Sequence, residues 1–527
     1  MNWQRYLLLA LAGLGVTALV AAFQPSAGYM DASYYYAGGL QLAHGRGFSE
    51  PYLWNYLDDP AGLPHPSHAY WMPLASLLAA AGAALAGPSA WFAARSGFLA
   101  LAALLPPLTA ALAWSFTARR DLALLAGFLA VFSGFYLPFL PVTDTFGLYM
   151  LLGGLFFLGV GRPLSVGRAV CLGLLTGLMH LARADGLLWL LLAFLAVLFF
   201  MPRPASPSRL LPLGAALGVL LGYLLIMGPW FGRNLLVFGT PLAPGGSKML
   251  WLTSYNQIFA FPADQITFAA WLDSGAAAIL RARLWALGMN LATAFGVQGQ
   301  VFLSPLVLLA VWHLRRERRL QLAALAWLLT LTVMTAVFPF AGARGGFFHA
   351  GAALQPVWWA LAPLGLERIL DWGRRRRGWE ARAGAVFRTA LAAAAALFTA
   401  LIVWSRVFGG GAETQAWGRD QVIYRQAARQ LQSAGLLPGQ VVMVADPPAF
   451  YLASGQPAIV IPDGSPQTAL LAAERYGARF LILEAGSLPD GLLPLYRLDE
   501  RPPGILYLGE VDGARLFEFR LEQITPP

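Results

Sequence analysis

The 527-residue chain is 58% hydrophobic and only 12% charged, with a mean hydropathy of +0.60. A soluble domain carries about a quarter charged residues and cannot bury so large an apolar fraction, which excludes a soluble globular fold and leaves a polytopic α-helical membrane protein. The net charge of +10 lies in short arginine blocks between apolar runs, a mark of membrane topology rather than nucleic-acid binding, and the single cysteine, Cys171, excludes an intrachain disulfide or a cysteine metal cluster.

Residues 6–23 are the first apolar run. They follow one arginine and lack a small-residue cleavage site, so a retained span is expected rather than a signal peptide. A polar loop, 24–90, comes next and opens on Met30-Asp31-Ala32-Ser33-Tyr34-Tyr35-Tyr36. Asp31 and Tyr35 share a face if the segment is helical. Ala32, Tyr36, Leu40 and Ala43 would then form the apolar stripe of a helix lying on the membrane surface. Asp31 is either a helix cap or a carboxylate held against a lipid-borne substrate.

Later in this loop, Asp58-Asp59 reads as a solvated turn, and His65-Pro66-Ser67-His68 precedes Trp71-Met72-Pro73. With Asp31 and a second acid farther on, the two histidines offer ligands for a divalent cation. Their spacing is not diagnostic, so no cofactor is assigned and a divalent cation remains an option. Residues 69–87 are long and apolar enough to span. Counting them would place the later arginine blocks outside, so they are expected to lie along the outer surface or re-enter it.

With the arginine blocks inside, the chain reads as about eleven spans. They fall near 6–23, 91–116, 122–140, 145–160, 169–182, 187–201, 210–230, 298–313, 320–338, 350–370 and 384–407, with the N-terminus cytoplasmic. The outer side then owns four elements: the first loop, the turn at 140–145, the loop 231–297 and everything after 408. Chemistry is expected there. Asp144, in Thr143-Asp144-Thr145, caps a helix or works; an acid at a membrane-facing helix start is otherwise costly. Arg183 and Asp185 either pair with each other or present a guanidinium to a phosphate. Arg233, in Pro229-Trp230-Phe231-Gly232-Arg233-Asn234, is a second phosphate candidate or an interfacial anchor. Arg344 and His349 lie in a glycine-rich outer turn whose backbone could approach a ligand.

Residues 408–527 change character, with frequent charges and no run long enough to span. Strands are expected at 441–445, 458–461, 479–483, 505–508 and 515–519, and helices at 419–434 and 466–476. This is a small α/β domain outside the membrane. It has no G-x-G-x-x-G and no P-loop. The chain thus divides into a transmembrane domain, 1–407, and an extracytoplasmic domain, 408–527.

Taken in order, the first-loop aspartate with its tyrosines and His44-Gly45-Arg46-Gly47, the return at 65–73, Thr143-Asp144, Leu181-Ala182-Arg183-Ala184-Asp185-Gly186 and Pro229–Asn234 resemble the GT-C superfamily of membrane glycosyltransferases. The branch with protein O-mannosyltransferases and lipid A aminoarabinose transferases is the nearest match, over residues 1–410. The resemblance implies inverting transfer of a sugar from a polyprenyl-phosphate carrier to a protein, lipid or glycan acceptor at the outer face of the cell membrane. It aligns Asp31 with the first-loop catalytic aspartate, Asp144 with the second-loop acid, and Arg183 with a basic residue near the lipid phosphate. Many relatives have Asp-Glu at the first motif; Ala32 stands here instead, so no role passes to a glutamate. Tyr35, His68, Asp185, Arg233, Arg344 and His349 complete the expected substrate-binding set, with no metal assigned. A transporter or lipid flippase is the competing reading and would need broken or charged helices at mid-membrane. A scaffold for the C-terminal domain is a third.

Overall fold

The computed structural model describes residues 2–87, 91–204, 208–410 and 416–520. Five helices are long and apolar enough to cross a membrane: α1 (Trp3–Ala22), Ser96–Thr117, Leu211–Phe238, Arg318–Val337 and Arg382–Val407. Leucines along them stay exposed, as a lipid-facing surface requires; Leu217, Leu221 and Leu225 are each more than half exposed.

Most of the remaining expected spans are shorter or interrupted, while Gln355–Arg377 is long but carries Glu367, Arg368 and Asp371. The 122–140 stretch is a helix only over Arg120–Val131, followed by a 3-10 turn at Gly134–Phe139. The 298–313 stretch breaks where Gln300 and Val301 take positive φ, and its helix runs only from Ser304 to His313. Among the described residues five helices thus meet the length and composition of a span, and shorter apolar helices at Phe146–Val160, Val166–Ala182 and Ala184–Phe200 coincide with three more of the eleven expected ones. The segment 69–87 holds a helix, α3 (Leu74–Ala86), about 20 Å long at ~1.5 Å per residue, short of the ~30 Å of hydrocarbon.

The first loop forms α2 (Met30–Ala43) and three short strands, β1 (Ser49–Glu50), β2 (Tyr52–Leu53) and β3 (His65–Pro66). Against expectation, α2 shows no wet face like that of a surface-lying helix. Ala32 through Gly39 are all buried, because α3 covers one side and the helix Pro447–Ser454 of the C-terminal region covers another. Close approach of α2 and α3 depends on Gly39. A Cβ there would lie 2.7 Å from that of Ala79.

The C-terminal strands are β4 (Val441–Val444), β5 (Ala458–Val460), β6 (Ala478–Glu484), β7 (Ile505–Val511) and β8 (Ala514–Phe519), close to the expected positions. The sheet has a sixth strand from the other end of the chain, in the order β2-β5-β4-β6-β8-β7. Tyr52 and Leu53 pair in parallel with Ala458 and Ile459. Around this pairing, Tyr476 Oη donates to Pro60 O at 2.9 Å, Arg475 pairs with Asp59 at 2.8 Å, and Gln41 donates to Tyr451 Oη at 2.8 Å. The C-terminal region and the first loop thus form one packed unit.

Candidate active site

Three segments far apart in sequence bring two carboxylates and an imidazole together. Asp31 lies in the first turn of α2, not at its cap; the cap residue is Tyr29, which makes no side-chain capping bond. Asp144 precedes the helix Phe146–Val160. Its loop is pinned to α2 by a bond from Thr143 Oγ1 to Ala32 O at 2.7 Å. His349 sits in the helix Phe347–Gly351, just after Gly345, whose φ of +117° is open to glycine alone. One ligand atom from each of the three lies within 4.8 Å of the others.

Asp144 is fully engaged. Its Oδ1 accepts from Thr145 N at 2.5 Å; its Oδ2 accepts from Tyr29 Oη at 2.5 Å and lies 3.2 Å from His349 Nε2. The His349 Nδ1 lies 3.0 Å from Gly345 O, which can only accept, so Nδ1 carries a proton. Nε2 then meets the carboxylates favourably only when it is protonated too. The ring is stacked on Phe146 at 4.0 Å. Burial pushes His349 down, but the charge and hydrogen bond of Asp144 outweigh it and raise its pKa. Burial likewise pushes Asp144 up, and His349, Tyr29 and the Thr145 amide reverse this, holding it below the usual carboxylate range.

Asp31 is held more loosely. Its Oδ2 lies 3.7 Å from His349 Nε2. Burial first, then the charge of Asp144, pushes its pKa up to about 6, with His349 and Arg183 limiting the rise. A carboxylate without tight partners and with a pKa just below neutrality is suited to accept a proton.

Arg183 follows the helix Val166–Ala182. Its Nε donates to Asp185 Oδ1 at 2.8 Å, and Tyr149 Oη donates to Asp185 Oδ2 at 3.1 Å. The guanidinium lies over the Tyr149 ring at 5.7 Å, and its charge acts on Asp31 and on Tyr35. Its Nη groups make no hydrogen bond among the described residues, which leaves them open to an anion. Arg344 lies over Tyr255 at 5.1 Å, and Tyr255 also senses the charge of Asp31.

His68 and Arg233 belong to a second network. Arg233 donates to Ser67 O at 2.9 Å and stacks over Phe48, Trp230 and Phe238. His68 lies between Ser67 Oγ (2.8 Å) and Ser76 Oγ (3.1 Å), and its backbone N donates to Tyr34 Oη at 2.8 Å. Burial, then the charge of Arg233, pushes it down to about 3, so it is a neutral tie between α2 and α3. Neither contacts Asp31, Asp144 or His349. The histidines of the first loop also do not join the carboxylates. His65 pairs with Asp58 at 3.0 Å and Glu50 at 3.6 Å, so the Asp58 side chain is a buried ion-pair partner, while Asp59 beside it is exposed as expected of a solvated turn.

The three-group cluster offers a divalent cation two hard carboxylate oxygens and one imidazole nitrogen, a donor set compatible with Mg²⁺ or Mn²⁺. A cation there would require His349 to give up its Nε2 proton. Sequence reasoning missed Tyr29. Only its position two residues before Asp31 hints at a role; the bond to Asp144 spans 115 residues.

No family model matches the sequence, and no curated protein matches it. Solved structures do match. The fold is similar to that of ArnT from Cupriavidus metallidurans in the apo state, at 13% identity and a TM-score of 0.57, over 99% of this chain and 98% of that one. It is also similar to the Archaeoglobus fulgidus oligosaccharyltransferase. In the complex with Zn and sulfate the TM-score is 0.58 at 14% identity, over 95% of this chain and 71% of that one. In the complex with an inhibitory peptide and a dolichol-phosphate it is 0.52 at 14% identity, over 98% and 75%. At these identities the likeness is one of fold.

Proposed function

We propose that this protein is an integral-membrane glycosyltransferase that moves a sugar from a polyprenyl-phosphate-linked donor to an acceptor hydroxyl at the extracytoplasmic face. The convergence of Asp31, Asp144 and His349, with the Arg183 guanidinium in electrostatic reach, carries the reading. Structural neighbours that include an oligosaccharyltransferase bound to a dolichol-phosphate agree with it.

In this reaction the acceptor oxygen attacks the anomeric carbon as the bond to the phosphate oxygen breaks. The phosphate leaves with the electron pair and needs positive charge more than a proton. Arg183, with Arg344 as a second cation, supplies that charge. Asp31 takes the acceptor proton. Asp144 is not the base; with Tyr29, Thr145 and His349 on its oxygens it fixes the imidazolium that sets the charge on Asp31. Back-side attack inverts the anomeric centre. The N-terminus is cytoplasmic and the C-terminal domain outside. A divalent cation at Asp31, Asp144 and His349 would add Lewis-acid charge for the phosphate.

The helix break at Gln300 is the feature a transporter would use. The buried side chains there, Gln298, Gln300 and Gln355, are amides rather than charged groups, which favours the enzyme. The test is incubation of purified, lipid-reconstituted protein with a radiolabelled polyprenyl-phosphate sugar and membrane-derived acceptors. Wild type converts the donor and Asp31→Asn does not. A donor left intact by wild type defeats the proposal.

A further inference from the structure

The chain between the first span and α2 is held by different partners in its two halves. The first half is anchored at Gln24. Its carbonyl accepts from Trp91 Nε1 at 3.0 Å and Arg95 Nη1 at 3.1 Å, and its Nε2 donates to Pro138 O at 2.7 Å. The second half, residues 26–29, meets Trp417 from the far end of the sequence. Trp417 Nε1 donates to Ser26 O at 2.9 Å. The indole lies against Gly28, where an added Cβ would come 2.2 Å from Cε2. Tyr29 is clamped between two rings, edge-to-face with Trp417 at 5.9 Å and with Phe139 at 5.5 Å.

We propose that Trp417 is a positioning residue for the candidate site, holding the Tyr29 phenol on Asp144. Its effect on catalysis rests on the transferase reading; its hold on Tyr29 does not. Tyr29 Oη donates to Asp144 Oδ2 at 2.5 Å, and the same oxygen faces His349 Nε2 at 3.2 Å. The phenol ring is rigid, so the place of the ring decides whether its hydroxyl reaches the carboxylate. Phe139 stands in the segment that leads to Asp144 and steadies Tyr29 from the carboxylate's own side. Trp417 steadies it from the other.

Tyr29 is also the N-cap residue of α2, and its carbonyl accepts from Ser33 N at 2.9 Å. A shift of Tyr29 therefore disturbs the helical turn that carries Asp31 as well as the bond to Asp144. Trp417 is itself fixed from two directions. Its backbone N donates to Val407 O at 3.0 Å, at the end of the last span. The next residue, Gly418, takes a φ of +83°, and a Cβ there would lie 2.9 Å from Ser26 Oγ. The chain thus crosses the loop at close range before it enters the helix Arg419–Ser433. The junction between the last span and the C-terminal region thereby reaches the carboxylates through one ring and one phenol.

The experiment joins hydrogen exchange to a double-mutant cycle, on the full chain in nanodiscs. In Trp417→Ala the backbone amides of residues 26–31 exchange about tenfold faster, as the loss of a hydrogen bond and a ring pair requires. With a radiolabelled polyprenyl-phosphate sugar as donor, kcat falls about two- to tenfold, the range a ring pair contributes, and the donor KM is unchanged. The double variant Trp417→Ala/Tyr29→Phe stays within about twofold of Tyr29→Phe alone, because both changes act through one bond. Should Trp417→Ala fail to fold, Trp417→Leu takes its place, keeping apolar bulk without the ring or the donor. Unchanged exchange overturns the inference. So does a wild-type rate, a loss that multiplies with that of Tyr29→Phe, or a loss confined to the donor KM. Wild type that turns over no donor defeats the transferase reading alone; exchange still decides whether Trp417 holds Tyr29.

Discussion

Replacing His349 with Gln removes the positive charge between the carboxylates while keeping a side chain of similar reach. The consequence can be worked from one distance. Nε2 lies 3.7 Å from Asp31 Oδ2, and two unit charges so placed interact by about 4 kcal/mol at an effective dielectric of ~20 and about 1 kcal/mol in bulk water. At 1.36 kcal/mol per pKa unit, the carboxylate should rise by about one to three units. The lower part of that range is expected, because the Asp31 side chain is 30% exposed. Asp144 keeps its bonds from Tyr29 and Thr145 and remains the more readily ionised of the two. Arg183, at fixed charge, is the remaining cation acting on Asp31, and Tyr35, Tyr70 and Tyr255 are neutral phenols around it.

The base must be ionised, so activity is lost as pH falls through the pKa of Asp31. In wild type the acid limb of kcat/KM should lie near the Asp31 value of about 6; in His349→Gln it should move above ~7, with most of the rate recovered by pH 8.5. Profiles from pH 4.5 to 9 at constant ionic strength measure this. An acid limb that stays put or moves down refutes the assignment of the imidazolium. A rate lowered equally at all pH values and rescued by Mn²⁺ would instead make His349 a metal ligand.

Asp31→Asn should lower kcat about 10²–10⁴-fold with unchanged expression and melting temperature; turnover within tenfold of wild type counts against it as the base. Arg183→Ala should weaken polyprenyl phosphate binding at least about tenfold, since charge-assisted bonds contribute about 1.5–3 kcal/mol, and unaltered competition by the free lipid phosphate would move the phosphate elsewhere. In Tyr29→Phe, Asp144 loses its 2.5 Å bond; kcat should fall about five- to tenfold with the donor KM unchanged, and a change in KM alone would count against Tyr29 acting through Asp144. Gly39→Val places a methyl-bearing carbon against Ala79 and should cost about 1–3 kcal/mol, read as a lower melting temperature in detergent.

What the sequence disclosed and what it concealed divide along the range of the interactions. The C-terminal strands follow from local alternation and β-branched content, and five were placed within a few residues. The sixth, Tyr52–Leu53, is two residues long and has no local signal; it exists because β5 offers an open edge 406 residues away. The same holds for the bundle. Apolar length marks where a helix enters the membrane, but a break such as that at Gln300 and Val301 is set by packing against neighbouring helices and leaves hydropathy untouched.

At the candidate site the order and spacing of Asp31, Asp144, Arg183 and His349 could be read from the chain, because each polar group stands out at the end of an apolar run. Their division of labour could not. That depends on which oxygen of Asp144 meets Tyr29, on the Gly345 carbonyl that accepts from Nδ1–H of His349, and on the absence of comparably close side-chain partners around Asp31 among the described residues. Two aspartates with the same intrinsic acidity are pushed in opposite directions by those contacts. The roles of base and anchor proposed for them are therefore properties of the assembled pocket. An exchange of the two neighbourhoods, not of the two residues, is what would exchange the roles.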